Sequence, residues 1–154
     1  NILNVYQEIM KAREIAKIFV DTFLRGNRVL VCGNGGSSAQ SSHLAEEFVS
    51  IGLPVISLTD SSIITALAND YSFEKVFSLQ VAALGKEGDL LVTLSTSGKS
   101  RNVINALKMA RKKDMNVIEW PRNKGRNTPE IQNNQLMLIH EVYDLVKTHF
   151  IYLK

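Results

Sequence analysis

Cysteine is nearly absent from this sequence, and that scarcity limits what the chain can be. Cys32 is the only cysteine in 154 residues, so no disulfide can form within one chain and a reducing compartment is expected. Its place inside an apolar segment indicates a core residue rather than a reactive thiol. Long hydrophobic runs are missing too, because stretches such as Val29 to Cys32 are far too short to span a bilayer. With no signal-peptide pattern near Asn1, we expect a cytoplasmic protein without a membrane partner.

The sequence also lacks a large excess of positive or of negative residues. The chain has 18 Lys and Arg residues against 15 Asp and Glu, a formal net charge of +3. The basic residues stand singly or in short groups such as Arg111-Lys112-Lys113, whereas nucleic-acid-binding domains concentrate positive charge on one face. We therefore expect no nucleic-acid partner. Hydrophobic residues make up 45% of the sequence, which is typical of a globular chain, and we expect residues 1–154 to form a single domain.

Short aliphatic segments alternate with stretches whose apolar residues recur at helical spacing. This alternation predicts an α/β fold in which helices flank a parallel sheet, and ligands bind beyond the carboxyl ends of the strands in such folds. The predicted strands cover residues 29–32, 53–59, 89–94 and 115–119. The predicted helices cover residues 1–25, the segment after the first strand as far as 48, and then 63–68, 73–84, 101–113 and 129–152.

The first predicted helix is long and precedes the first strand. Gly26 ends it. Its apolar residues at helical spacing are Ile2, Val5, Ile9, Ala12, Ile15, Ala16, Phe19, Val20 and Phe23. Because this helix does not connect two strands, it must cover a face of the sheet or pair with another subunit.

A glycine-rich turn, Gly33-Asn34-Gly35-Gly36-Ser37, follows the first strand. Backbone N–H groups at the start of the next helix are not shielded there by bulky side chains, which favours a site for an anion or a sugar. The alternative is a turn whose glycines serve only close packing.

A second polar turn, Ser95-Thr96-Ser97-Gly98-Lys99-Ser100, follows the third strand. It places four hydroxyl groups and several backbone amides before a helix, and these donors suit a phosphate monoester. An ordinary Ser/Thr capping turn would account for only one or two of the hydroxyls. The pattern Gly-x-x-x-x-Gly-Lys-[Ser/Thr] is absent, so we expect no nucleoside triphosphate chemistry.

Two pairs of polar residues stand at helical spacing on separate helices. His43 and Glu47 share one face of the helix after the first strand, and Gln132 and His140 lie two turns, roughly 12 Å, apart on the last helix. Either pair alone is most simply a surface or core feature. Together they would supply the nitrogen and oxygen donors that suit zinc or a related divalent ion. His149 has no such partner and is expected to be structural or exposed.

These motifs, in this order, resemble the sugar isomerase (SIS) domain family and, within it, the phosphoheptose isomerases. The resemblance covers nearly the whole chain. It is carried by Cys32 to Ser37, His43 to Glu47, Asn69-Asp70, Ser95 to Ser100 and the helix from Ile131-Gln132 to Ile139-His140. It implies a three-layer, flavodoxin-like SIS fold with a long N-terminal helix, assembled as a homotetramer whose active sites lie at subunit interfaces.

The same resemblance implies roles for individual residues. The implied metal ligands, for one zinc ion per subunit, are His43, Glu47, Gln132 and His140. The implied substrate contacts are Asn34, Gly35, Gly36, Ser37, Glu47, Asn69, Asp70, Ser95, Thr96, Ser97, Ser100 and Gln132. Glu47 and His140 also match the family's proton-transfer pair, and the two roles compete because a metal ligand must be deprotonated.

The implied reaction converts sedoheptulose 7-phosphate to D-glycero-D-manno-heptose 7-phosphate, the first step towards ADP- or GDP-heptose for lipopolysaccharide core or capsule. Moving a proton between neighbouring carbons needs one base and one acid. We expect Glu47 to take the carbon proton, His140 to act on the oxygen, and zinc to polarise the carbonyl.

Two other functions are to be weighed against the isomerase. A SIS-domain replication factor associates with the bacterial initiator protein and shares the fold and tetramer, but it lacks the histidine equivalent to His43. A sugar-phosphate-sensing module of a transcription regulator would carry a DNA-binding unit, and no helix-turn-helix is found in this sequence. Both comparisons favour the enzyme.

Two tracts are shorter than the family pattern. One follows Glu47, and the other lies between Glu119 and Asn127, where the family has a fifth strand. We assign no site role to Trp120 to Arg126.

Overall fold

Four short apolar segments form one parallel sheet at the centre of the computed structural model. β1 is Val29–Gly33, β2 is Val55–Ser57, β3 is Leu90–Leu94 and β4 is Asn116–Glu119. They lie side by side in the order β2-β1-β3-β4, and each neighbouring pair is parallel. The four predicted strands are therefore confirmed. β2 starts later than predicted because Pro54, which has no N–H group, cannot donate to the ladder.

The structure describes residues 2–122 and 125–151, and within the first helix it describes the side chains of residue 7 and of residues from 9 onwards. The predicted apolar positions Ile2 and Val5 and the predicted helix ends at Asn1 and Tyr152 lie outside what is described. The expectation of a single domain over residues 1–154 stays a prediction. None of the described helices is both long and apolar enough to cross a membrane.

Helices cover both faces of the sheet. Their bounds are α1 Ile2–Leu24, α2 Gly36–Ser50, α3 Ser61–Asp70, α4 Val76–Leu84, α5 Arg101–Lys112 and α6 Thr128–Ile151, and a short 3-10 turn at Phe73–Lys75 precedes α4. α3 begins earlier than predicted because the Asp60 side chain accepts the N–H of Ile63 at 2.9 Å and caps the helix.

Alternating side chains of β1 enter two separate cores. Val29 and Val31 pack in a core with α1, α2 and α6, whereas Leu30 and Cys32 pack in a core with α3, α4 and α5. This arrangement confirms the three-layer α/β fold. Burial raises the pKa of the Cys32 thiol to about 12, so the thiol stays protonated at neutral pH and serves as a core residue, as predicted.

The long helix α1 lies against the sheet and α6. Phe19 is fully buried and stacks on Phe48 of α2, with 5.1 Å between ring centroids. Ile9, one of the predicted apolar positions, is 45% exposed, so it does not cover the sheet within this chain. Among the described side chains of α1, Ala12 is the first buried one.

Candidate active site

The carboxyl ends of β1 and β3 meet where the strand order changes direction. Gly33 pairs with Leu94 at the last step of the β1–β3 ladder. From β1 the chain first builds β2 on one side and then β3 on the other. Ligands of open parallel sheets bind in the crevice at such a point. The two polar turns identified in the sequence therefore begin side by side.

A pocket of about 70 Å³ lies between these two turns. Its lining residues are Asn34, Ser37, Leu94, Ser95, Thr96, Ser97 and Ser100. Sites that enclose a whole drug-sized ligand typically measure several hundred Å³, so this pocket has the size for a phosphate group and not for an entire sugar phosphate. The structure thus brings Asn34 and Ser37 together with all four hydroxyl residues of the second turn.

The hydroxyl groups of the second turn shape the loop and remain able to donate. Ser95 Oγ accepts the N–H of Gly98 at 2.9 Å, and Ser97 Oγ accepts the N–H of Lys99 at 3.1 Å. A hydroxyl that accepts in this way still has its own hydrogen for a ligand. Gly98 has a φ of +65°, a conformation that favours glycine, and this lets the loop turn back towards the strand end.

Two helices begin at the pocket. α2 starts at Gly36 with Gly35 at its N-cap position, and α5 starts directly after its N-cap residue Ser100. The first N–H groups of a helix attract anions, and none of the residues that line the pocket is acidic. The pocket therefore has the donors and the electrostatics for a small anion.

Arg122, for which the sequence predicts no role in the site, lies beside the second turn. Its guanidinium donates to the carbonyl oxygen of Ser97 at 2.8 Å and fills the space that a side chain on Gly98 would need. A positive charge therefore stands next to the pocket. The sequence could not indicate this contact, because residues 120–127 show no periodicity that predicts where they fold.

A pair of amides joins the two turns. Asn34 Nδ2 donates to Asn102 Oδ1 at 2.8 Å, and Asn102 Nδ2 donates back to Asn34 Oδ1 at 2.9 Å. Asn102 is only 3% exposed. It was missed in the sequence because a single asparagine in the first turn of a helix is usually a solvent-exposed residue.

His43, Glu47 and His140 form a cluster between α2 and α6. His140 Nδ1 lies 2.8 Å from Glu47 Oε1, and His43 Nε2 lies 3.6 Å from the same oxygen. The two imidazole rings meet edge to face with 5.2 Å between their centroids. The Glu47 side chain is 13% exposed, whereas the two histidines are about half exposed. The carboxylate therefore sits beneath two imidazoles at the edge of solvent.

The chemistry of this cluster fits a divalent cation. One ligand atom from each of the three residues lies within 4.8 Å of the others. Glu47 Oε2 and His43 Nε2 are buried, and neither has a hydrogen-bond partner among the described residues. Buried polar atoms without partners are costly, and a cation held between them would satisfy both.

Gln132, the fourth predicted ligand, lies nearer the glycine-rich turn. Its side-chain amide covers Gly36 so closely that a Cβ atom at that position would collide with it. The backbone carbonyl oxygen of Gln132 accepts a hydrogen bond from Gln40 Nε2 at 2.6 Å. Because Gln132 meets the start of α2 and His140 meets Glu47, α6 runs alongside α2 in the same direction. Gln132 and His140 are two turns apart on α6, as the spacing predicted.

Asn69 and Asp70 stand apart from the other predicted site residues. Both are exposed at the end of α3, and within the described residues their one side-chain hydrogen bond joins Asn69 Nδ2 to Asp70 Oδ1 at 2.9 Å. The structure does not bring them into the pocket or the cluster. His149 is exposed near the end of α6 and packs its ring against Phe150, as its lack of a partner suggested.

Comparison with known proteins shows the family to which this chain belongs. The SIS domain family model matches residues 3–119. The phosphoheptose isomerase of Burkholderia pseudomallei is 42% identical, over 88% of this chain and 80% of the relative, and that of Synechocystis is 42% identical over 87% and 80%. This chain belongs to the phosphoheptose isomerase family of SIS-domain proteins.

Solved structures of that family superpose closely on this fold. The phosphoheptose isomerase of Neisseria gonorrhoeae matches with a TM-score of 0.87 and 36% identity, over 95% of this chain and 92% of the other. The phosphoheptose isomerase of Francisella tularensis matches with a TM-score of 0.85 and 30% identity, over 96% of both chains. The flavodoxin-like SIS fold expected from the sequence is confirmed.

A metal titration tests the His43, Glu47 and His140 cluster. We expect the protein to bind a divalent transition-metal ion, and His43→Gln to weaken binding by about tenfold or more because one imidazole ligand is lost. His149→Gln is the matched control, since it removes an exposed histidine outside the cluster and should leave the affinity unchanged. Calorimetry on metal-stripped protein measures both variants. Equal affinities for wild type and His43→Gln would place the metal elsewhere.

Proposed function

We propose that this chain is the isomerase that converts sedoheptulose 7-phosphate to D-glycero-D-manno-heptose 7-phosphate, the first step of heptose synthesis for lipopolysaccharide core or capsule. The observation that carries the proposal is the 2.8 Å contact of Glu47 with His140, since it joins a base and an acid on neighbouring helices. The named relatives and solved structures support it. The predicted cytoplasmic location stays a prediction.

The reaction moves one proton between carbons and one between oxygens. A base removes a proton from C1 of the ketose while the C2 oxygen gains a proton, which gives an enediol. The carbon proton is then returned at C2 while the C1 hydroxyl group loses its proton, which leaves an aldehyde at C1 and a hydroxyl group on C2. We assign the carbon proton to Glu47. Its Oε2 atom has no hydrogen-bond partner among the described residues, and the carboxylate is largely shielded from water.

We assign to His140 the proton transfer between the C1 and C2 oxygens of the substrate. Its Nδ1 atom contacts Glu47 Oε1, so the imidazole is oriented by the same carboxylate that acts on carbon. The ring is about half exposed and can exchange protons with solvent between turnovers. One carboxylate and one imidazole are sufficient for general acid–base catalysis along an enediol path.

Zinc is the metal that we propose for the cluster. Its ligands would be His43, Glu47 and His140 together with Gln132, a donor set of nitrogen and oxygen that suits this ion. When bound, it would polarise the substrate carbonyl and stabilise negative charge on the enediolate. Glu47 and His140 are thus proposed both as ligands that would hold the ion and as the acid–base pair.

The pocket between the two polar turns would hold the phosphate. Ser95, Thr96, Ser97 and Ser100 offer hydroxyl donors there, and the volume of about 70 Å³ leaves the sugar outside. The carbon chain would extend past Asn34, Gly35, Gly36 and Ser37, the turn against which Gln132 packs. This gives the glycine-rich turn its role, because bare glycines let the sugar approach the backbone closely.

A homotetramer with active sites at its subunit interfaces would account for the position of Asn69 and Asp70, which lie apart from the pocket and the cluster within one chain. Large apolar side chains are exposed near Asn69 and Asp70, among them Tyr71 at 63% and Phe73 at 56%. We propose that another subunit covers this surface and that Asn69 and Asp70 contact a substrate held partly by that subunit. The exposed apolar residues of α1, Ile9, Met10, Ile18 and Leu24, would be covered in the same assembly.

Sedimentation measures this assembly directly. We expect a species of about four times the 17.2 kDa chain mass, because burying these apolar surfaces favours association. Replacing Tyr71 and Phe73 with Ser should shift the equilibrium towards smaller species, whereas Ser50→Ala, an exposed change at the end of α2, should not. A monodisperse wild-type monomer at micromolar concentration would contradict the tetramer.

The alternative of a replication factor without catalytic activity is not favoured. That group lacks the histidine equivalent to His43, whereas here His43 is present and lies 3.6 Å from Glu47. A complete cluster has no evident use in a protein that only binds a partner.

Glu47→Gln separates catalysis from binding. The variant keeps the size of the side chain and removes the base, so turnover should fall roughly 10²–10⁴-fold while the oligomer persists and sugar phosphate still binds. Metal content must be measured in the same sample, with His43→Gln beside it, because Glu47 is also a proposed ligand. Glu87→Gln is the matched control, because it makes the same change at an exposed carboxylate before β3, outside the cluster, and it should retain full activity.

Two outcomes would contradict this account. Isomerisation at the wild-type rate by metal-replete Glu47→Gln protein would exclude Glu47 as the base. No turnover of any heptulose phosphate by the unmutated protein would favour a regulatory SIS protein instead.

A further inference from the structure

Asn102 is held in a position from which its side chain can fix the orientation of the Asn34 side chain. We propose that Asn102 is a positioning residue that fixes the orientation of the Asn34 amide for the sugar, a role that rests on the proposed function. The proposal comes from the reciprocal pair of hydrogen bonds between the two side chains, at 2.8 and 2.9 Å.

A backbone contact determines which way the Asn102 amide faces. Its Oδ1 atom accepts the N–H of Val103 at 2.9 Å, so the oxygen must lie on that side. The same oxygen accepts from Asn34 Nδ2, and Asn102 Nδ2 is left to donate to Asn34 Oδ1. One backbone N–H therefore sets the orientation of both amides.

The consequence for Asn34 is a defined pattern of unused atoms. An asparagine amide has two N–H hydrogens and two acceptor lone pairs, and this pairing uses one of each. One donor and one acceptor of Asn34 remain, with fixed directions, at the edge of the pocket that Asn34 lines. A rotated amide would exchange the places of this donor and this acceptor, so a sugar that fits one orientation would meet the wrong groups in the other.

The buried position of Asn102 holds its side chain, and therefore the Asn34 amide, in one orientation. Asn102 follows the second turn directly, in the first turn of α5, and is only 3% exposed, so water cannot easily replace its side chain. Asn34 stands in the first turn, after β1. The amide pair thus ties the turn proposed for the sugar to the helix that starts at the proposed phosphate site.

A double-mutant cycle tests the proposal by binding alone. We would measure the affinities of Asn102→Ala, Asn34→Ala and the double variant for sedoheptulose 7-phosphate and for inorganic phosphate by calorimetry. Asn102→Ala should weaken the sugar phosphate about tenfold and change phosphate binding less than about twofold. In the Asn34→Ala background, Asn102→Ala should have no further effect. Ser97→Ala is the contrasting variant and should weaken both ligands.

Asn102→Leu is a second variant for the case in which Asn102→Ala fails to fold, because leucine fills the buried volume without replacing the hydrogen bonds. Thermal unfolding of each variant shows whether it is folded. Equal weakening of phosphate and sugar phosphate, an undiminished effect in the Asn34→Ala background, or unchanged affinities would each overturn the positioning role. Wild-type protein that binds sedoheptulose 7-phosphate but does not isomerise it would overturn the proposed reaction alone, and the cycle would still decide the role of Asn102.

Discussion

The contact between Glu47 and His140 is the interaction on which this structure depends for chemistry. The two residues are 93 positions apart in sequence, yet their side chains meet at 2.8 Å. They meet because α2 and α6 share one face of the sheet with α1, in a core that includes Phe48 and Ile139 next to the two site residues in sequence. The packing of that apolar layer therefore fixes the distance between the proposed base and acid, and a change that separates α2 from α6 would disable the cluster without touching it.

A second constraint separates anion binding from proton transfer. The pocket at the ends of β1 and β3 is lined by hydroxyl groups and approached by two helix N-termini, whereas His43 and Glu47 lie further along α2 and His140 lies on α6. Keeping Glu47 away from the phosphate avoids repulsion between two negative groups. Arg122 contacts the carbonyl oxygen of Ser97 and adds positive charge beside the turn that already carries Lys99.

Much of the fold and part of the site could be predicted because their signals are local. Strand periodicity, the two polar turns and the spacing of His43 with Glu47 all lie within short stretches. Residues whose roles depend on distant partners could not be found in that way: Asn102 pairs with Asn34 from 68 positions away. Periodicity shows which face of a helix is apolar but not what covers that face, so the sequence left open whether Ile9, which is exposed in this chain, contacts the sheet or another subunit. Asn69 and Asp70 lie apart from the pocket and the cluster in this chain, so their role in substrate binding stays a prediction.

The central claim is that Glu47 carries a proton between two carbons of the substrate. The most direct test is to let the protein convert sedoheptulose 7-phosphate in D₂O and to examine C2 of the aldose product by NMR. A proton held on a carboxylate that is 13% exposed can exchange with solvent before it is returned, so the account predicts some deuterium at C2 of the product of the wild-type protein and a loss of this exchange in the metal-replete Glu47→Gln variant. Solvent deuterium that enters C2 as fast with metal-replete Glu47→Gln as with the wild type would contradict the assignment of Glu47.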